Sequence, residues 1–392
     1  MGRVAAMLVP QQSPHVKIGI ITTSYPRFAG DGAGSFVAGH VGALRALGHD
    51  VEVIAAGDPG QDAVLRVGGG RLFYRGGAPD ALERAPIRAG ASAAVFTARL
   101  TATVVTHAPR WDLLIAHWLV PSAIAALPSA TPLIAIAHGG DVFTLRRLHL
   151  VRPVFAALHR RHARLVFVSH ALQTIARDAV PALASWLDAA TVQPMGIDLA
   201  RFAALRRAPG DPPIVLVVAR LVPIKGVDVA IMAMHHVQRD ARLVIAGDGP
   251  ERDHLATPRP TGVAGQATTR RASHAATARP PEFLGAVTTQ RRDELLAAAS
   301  VVVIPSRILP GGRTEGTPAI ALEALAAGVP VIASAVGGLG EVPGVRLVPP
   351  DAPDELARAI DQMLAHPPSA ESLRAGVAGL DWREIAPRLL RE

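Results

Sequence analysis

The chain contains no cysteine. That excludes a disulfide scaffold, a cysteine nucleophile and a thiolate metal centre, and it fits a reducing compartment. Aromatic residues are scarce, at 4% of 392 positions, although 49% of the residues are hydrophobic. Alanine, valine and leucine carry that content, so the core is expected to be aliphatic, with helices packed on a buried parallel sheet. A disordered or fibrous chain is excluded by the same figures. Lysine is nearly missing: of 40 basic residues only Lys17 and Lys225 are lysines, and the formal net charge is +8. The arginine excess reads first as codon bias. Basic clusters are short pairs (Arg146-Arg147, Arg160-Arg161, Arg206-Arg207, Arg270-Arg271, Arg291-Arg292) without interleaved aromatics, so no nucleic-acid partner is expected. The charge suits phosphorylated substrates and weak, salt-sensitive attachment to anionic lipid. Long apolar runs are also lacking. Ala321–Gly340 holds Glu323 and Pro330, and Leu119–Ala137 is broken by Pro121, Pro128 and Pro132, so no membrane span is expected. Met1–Pro14 is too weak for a signal peptide. The expectation is a soluble cytoplasmic protein, peripheral at most to the inner membrane face.

What is present is a repeated pattern. Val16–Ile21 is a short apolar run of the kind that forms a buried parallel strand. A glycine-bearing turn with Gly30, Gly32 and Gly34 follows, then an amphipathic helix ending at Gly48, then the strand Val51–Ala55. Strand, turn, helix, strand is a βαβ unit. Further strands read at Leu113–Ala116, Leu133–Ala137 and Leu165–Val168. Residues 1–198 are therefore predicted as a doubly wound α/β domain, with 1–15 a disordered extension. Residues 199–213 read as a linker. The pattern restarts over 214–366, with strands at Ile214–Ala219, Leu243–Ala246, Phe283-Leu284, Val301–Ile304, Val331–Ala333 and Arg346–Val348. Within it, residues 256–281 carry four arginines, no acid and no periodicity, which reads as a disordered insertion or a sequence artefact. A helical segment, 367–392, is predicted to pack back on the first domain. Two such domains form a cleft between the carboxyl ends of their sheets, where such folds bind ligands.

Residues suited to chemistry collect at strand ends. Arg220 and Lys225 follow a strand of the second domain, a guanidinium fork and a point charge able to hold a diphosphate. Beyond Lys17, Lys225 is the only lysine in an arginine-biased chain, which argues for a geometric demand that arginine does not meet. The run Arg313-Thr314-Glu315-Gly316-Thr317-Pro318 opens a helix, with Thr317 read as N-cap and Pro318 as the first helical residue. Free amides there suit a diphosphate. Glu323, inside that helix, can reach a ribose diol, and Glu315, before it, can meet a sugar. His138 ends a first-domain strand and faces the cleft. His117 is a second strand-end candidate, either on the acceptor side or in plain loop packing. Asp141 either caps the next helix or orients an acceptor. No aspartate or histidine cluster has metal-ligand spacing, so no metal or other cofactor is expected.

At this point the sequence resembles the retaining glycosyltransferases of family 4, which share the GT-B fold of two Rossmann-like domains facing each other across a cleft. Glu315…Glu323 is similar to their two-glutamate motif. Arg220…Lys225-Gly226, Ala246-Gly247-Asp248-Gly249-Pro250, Phe283-Leu284-Gly285 and Glu323-Ala324…Gly328-Val329-Pro330-Val331 follow in the family's order. Thr22–Phe36, with Gly34, looks like its first loop, and Ala137-His138-Gly139-Gly140-Asp141 like its histidine loop. The resemblance implies sugar transfer with retention from a nucleotide-diphosphate sugar to a glycan or lipid-linked acceptor, in cell-envelope or exopolysaccharide synthesis. It implies donor binding by Arg220, Lys225, Gly316, Thr317, Pro318, Glu323 and Gly34, and reaction-centre roles for Glu315, His138, Arg220 and Lys225. His138 would contact the donor sugar or assist at the reacting centre. A phosphorylase or epimerase of the same fold, or a silent glycan-binding scaffold, are the alternatives. A nicotinamide oxidoreductase is disfavoured because Gly30, Gly32 and Gly34 lack the required spacing.

Overall fold

The computed structural model describes residues 15–391 apart from 59, 61–62, 70, 75–77 and 258–278. The predicted extension at 1–15 and the predicted insertion at 256–281 lie almost entirely outside the described residues. Among the described residues, strands form two wholly parallel sheets. The first comprises β1 (Lys17–Thr22), β2 (Asp50–Ala56), β3 (Leu65–Val67), β4 (Leu113–His117), β5 (Leu133–Ala137), β6 (Arg164–Phe167) and β7 (Thr191–Val192). Its spatial order is β3-β2-β1-β4-β5-β6-β7. The second comprises β8 (Ile214–Val218), β9 (Arg242–Ala246), β10 (Glu282–Gly285), β11 (Val301–Ile304), β12 (Val331–Ser334) and β13 (Val345–Val348), in the order β10-β9-β8-β11-β12-β13.

Each order reverses direction once, at β1/β4 and at β8/β11. These are the switch points beside which doubly wound sheets bind ligands. The strands there are covered on both faces. All five residues of β5 and all four of β11 are buried, which is why they read as continuous apolar runs rather than alternating ones. The second sheet separates two aliphatic clusters, one against Leu322, Leu325 and Leu373, the other against Val227, Leu356 and Ile360.

Sequence reading missed β3 and β7, of three and two residues, which are too short to show a period. The predicted linker is more structured than expected. Asp198 accepts a hydrogen bond from the Arg201 amide (3.0 Å) to start the helix Leu199–Ala203, and Phe202 enters the second domain's core. The C-terminal segment divides between the domains. Helix Ala370–Gly376 buries Leu373 in the second core, whereas helix Trp382–Arg391 places Trp382, Ile385, Ala386 and Leu389 in the first.

Candidate active site

The second domain presents its functional groups from the loops after β8 and β11. Lys225 sits just before Gly226, whose φ of 58° lets the chain turn into helix Val227–Met234; a Cβ there would strike the Pro305 carbonyl. The Lys225 Nζ pairs with Glu315 Oε2 at 2.5 Å, and the Ser306 hydroxyl donates to the same oxygen at 3.1 Å. The predicted phosphate-binding lysine and the predicted sugar-binding glutamate are thus each other's partner. Arg220 reaches across the cleft to Asp80 of the first domain, 2.8 Å to Oδ2, and Arg313 takes the other oxygen at 2.6 Å. Burial works to raise the Asp80 carboxyl, but the Arg313 and Arg220 guanidiniums outweigh it and hold it below the usual carboxylate range.

The helix after Glu315 begins later than expected. It runs Ala319–Ala326, its N-cap is Pro318, and no side chain caps it. The Thr317 hydroxyl is not available for capping because it donates across the cleft to the Val168 carbonyl, at 3.3 Å. Glu323 is 5% exposed, and its Oε1 pairs with the Arg292 guanidinium at 3.1 Å. Burial pushes the Glu323 carboxyl up, opposed by Arg292. Its Oε2 is buried without a partner among the described residues.

Across the cleft, His138 follows β5, and its backbone abuts the Glu315–Gly316 turn: a Cβ on Gly316 would lie 2.8 Å from the His138 carbonyl. His138 and Glu315 are therefore brought together from different domains. His117 is not on the acceptor side. It is 0% exposed, wedged between His40 and His138, with 3.1 Å to each. Asp141 also loses its acceptor role. Its buried carboxylate accepts the amides of Leu119 (2.8 Å), Gly139 and Val142 (2.9 Å each) and His138 (3.2 Å). Burial pushes this carboxyl up while those four amides pull it down. It shapes the histidine loop and has no face left for substrate. Gly34 is in left-handed backbone, φ 67°, as N-cap of helix Ser35–Ala46, and a Cβ would strike the Ser24 carbonyl. Its contribution is the shape of the first loop.

Gly139, Phe143, Ser169, Thr314, Glu315 and Gly316 line a cleft cavity of about 10 Å³, room for about one water. Besides Asp80 and Thr317, the domains are joined by Glu341, whose two carboxylate oxygens accept the His170 and Ala171 amides at 2.7 Å each. The Thr289 amide also donates to the Gly30 carbonyl at 2.9 Å. The cleft is closed in this state.

Sequence reasoning missed Asp80, Ser306, Arg292, Glu341, Trp382 and His40, and it quoted Arg313 without giving it a role. His40 left a signal. It lies on the buried face of its helix with Val37, Val41 and Leu44, an apolar stripe where a polar residue calls for explanation. Ser306 pairs with Glu315 nine positions on and Arg292 with Glu323 from a separate helix, while Asp80, Glu341 and Trp382 meet partners more than 100 positions away, beyond any local pattern.

Two doubly wound sheets whose switch-point loops meet face to face, arginines and a lysine on one side and a histidine loop on the other, define a GT-B glycosyltransferase. The chain belongs to the group 1 glycosyltransferases: residues 212–366 match the family described as Glycosyl transferases group 1, and residues 30–201 match Glycosyltransferase Family 4. It is a transferase of the glycosyl-transferring class. Among its relatives is TuaC of Bacillus subtilis, a glycosyltransferase assigned to teichuronic acid biosynthesis, 30% identical over 88% of each chain. Glycogen synthase of Mycobacterium tuberculosis is 31% identical over 95% of this chain and 92% of its own. The crystal structure of Anabaena Alr3699/HepE with UDP-glucose superposes with a TM-score of 0.65 at 18% identity, covering 96% of this chain and 99% of that one. At that identity the likeness is one of fold.

Proposed function

We propose that this enzyme moves a sugar, with retention, from a nucleoside-diphosphate donor to a glycan or lipid-linked acceptor of the cell envelope or an exopolysaccharide, without a metal ion. The observation that carries this reading is the cluster Arg220, Arg313, Lys225 and Glu315 at the second sheet's switch point, set against His138. Breaking the anomeric C–O bond leaves positive character on the sugar and negative charge on the departing diphosphate. Arg220, Arg313 and Lys225 are preorganised cations for that charge, in a cleft that excludes water. The new anomeric C–O bond forms on the face the diphosphate leaves, and the acceptor's hydroxyl proton passes to the departing phosphate oxygen. Glu315 holds donor-sugar hydroxyls, and the free Oε2 of Glu323 suits a ribose diol. The names of the relatives, a teichuronic acid biosynthesis glycosyltransferase and a glycogen synthase, support a carbohydrate acceptor. Binding requires the closed cleft to open, so the donor's diphosphate replaces Asp80 on the arginines.

A thermal-shift panel of UDP-, GDP- and ADP-sugars tests this. A nucleotide present at 100 times its dissociation constant stabilises by about 2.7 kcal/mol, so one class should raise Tm clearly; no response to any nucleotide sugar removes the reading. Among the described residues no helix is long and apolar enough to cross a membrane. Cytoplasmic residence with membrane contact is instead proposed through the first domain's loop of exposed Leu148 (45%) and Leu150 (43%), flanked by exposed Arg146, Arg147 and Arg152. Sedimentation with phosphatidylglycerol vesicles at low salt, and its loss at high salt, is the expected behaviour.

A further inference from the structure

His40, His117 and His138 form one continuous chain from the core to the cleft. His40 Nδ1 lies 3.1 Å from His117 Nε2, and His117 Nδ1 lies 3.1 Å from His138 Nε2. The far end is fixed by helix Trp382–Arg391: the Trp382 indole stacks on the His40 imidazole at 4.7 Å and 5°. The near end is held by Phe36 and Trp118, whose rings lie 5.3 Å and 4.6 Å from that of His138. None of the three rings is free to turn.

In a neutral imidazole one nitrogen donates and the other accepts. Burial, with the neighbouring rings adding to it for His117 and His138, keeps all three neutral: His40 and His138 are each pushed down to about 3, and His117 well below its ordinary value. A chain of three neutral rings then has two self-consistent proton orders, each the reverse of the other. The terminal atom decides between them. His40 Nε2 is buried and has no partner among the described residues. An unpaired buried N–H is the arrangement folded proteins avoid most consistently, so this atom carries the lone pair. The His40 proton is then on Nδ1 and donates to His117 Nε2; the His117 proton is on Nδ1 and donates to His138 Nε2. The His138 proton has one position left, Nδ1.

We propose that His40 and His117 are positioning residues that lock His138 as its Nδ1–H tautomer, so that the cleft histidine offers substrate a hydrogen-bond donor. A donor suits a sugar oxygen or a phosphate oxygen, the second of which cannot pair with a bare ring nitrogen. The substrate-facing half of this inference rests on the sugar-transfer reading; the proton order stands on the protein alone.

Long-range ¹⁵N–¹H correlation spectra of the full chain labelled at histidine read the order directly. The expected result at neutral pH is one slowly exchanging Nδ1–H tautomer for each of the three rings. A His138 protonated on Nε2, or averaged between tautomers, overturns the proposal. His40→Phe should release the order, giving mixed His138 tautomers and roughly a tenfold or greater fall in kcat with nucleoside-diphosphate affinity unchanged. His40→Gln, whose amide can still donate to His117 Nε2, should restore both. Should His40→Phe fail to fold, the wild-type spectrum and His40→Gln still decide. The spectra need no substrate, so an unresponsive nucleotide-sugar panel would sink the transfer reading and leave this result intact.

Discussion

At the scale of single residues, charge pairing decides what each substitution reports. Arg313 and Arg220 share one carboxylate, and in the proposed reaction both receive the diphosphate. A charge-assisted hydrogen bond contributes roughly 1.5–3 kcal/mol, or about 10- to 150-fold in affinity. Arg313→Ala should therefore weaken nucleoside-diphosphate binding within that range, as measured by calorimetry. Glu315→Gln keeps the shape and removes the charge beside a sugar that gains positive character, so transfer should collapse while diphosphate affinity holds within a few fold. Near-normal transfer by Glu315→Gln would displace the reacting centre from this turn. Glu323 behaves differently because of its setting. Glu323→Ala removes the nearer counter-ion of the Arg292 guanidinium, 12% exposed, and leaves only Asp293 at 3.9 Å. Breaking a buried pair in this way costs about 3–5 kcal/mol, so the urea midpoint should fall far more for Glu323→Ala than for Glu315→Gln.

At the scale of elements, the clearest device is Glu341 at the end of the turn Gly337–Glu341, seated on the N-terminus of helix His170–Ala179 in the other domain. It satisfies two amides that the helix cannot pair internally, and its charge matches the helix dipole. Glu341→Ala should loosen the closed arrangement, seen as a larger radius of gyration by small-angle scattering in the absence of ligand; an unchanged radius would show that Asp80 and Thr317 suffice. Elements of this kind also mark how far the sequence could be read. The continuous apolar strands β1, β5, β8 and β11 announced themselves, and with them the loops that carry His138, Arg220 and Glu315. Of the alternatives for His117 and Asp141, the acceptor-side ones do not hold, because strand-end position says nothing about burial: both side chains turn inward to satisfy buried neighbours. Asp80 was unreadable for a related reason. Its partners lie 140 and 233 positions away, and no local spacing encodes a contact made only when two domains meet.

At the scale of the whole molecule, the buried histidines tie stability to pH. His40 and His117 are 0% exposed, and burial holds the first at about 3 and the second well below its ordinary value. Unfolded, each ring titrates near about 6.5. Above that pH neither state binds the proton and these rings leave stability flat. Below it the unfolded chain gains protons that the native state refuses, so stability falls as pH drops below about 6.5, by about 1.4 kcal/mol per pH unit for each ring that stays neutral in the native state, a range that for His40 extends to about pH 3. Urea midpoints at about pH 7 and about pH 5 should differ accordingly, and His40→Phe should remove its share of the slope. The carboxylate of Asp80, lying on both arginines of the cleft, has a kinetic counterpart. Because that carboxylate cancels one of the two guanidinium charges from within, the closed site exerts a weakened long-range pull on a dianionic ligand, and association should respond less to ionic strength than two unpaired arginines would. Added salt loosens the internal pair as it screens the incoming one, so the two effects offset. Asp80→Asn should strengthen that steering, with faster capture of nucleoside diphosphate and a steeper dependence on salt.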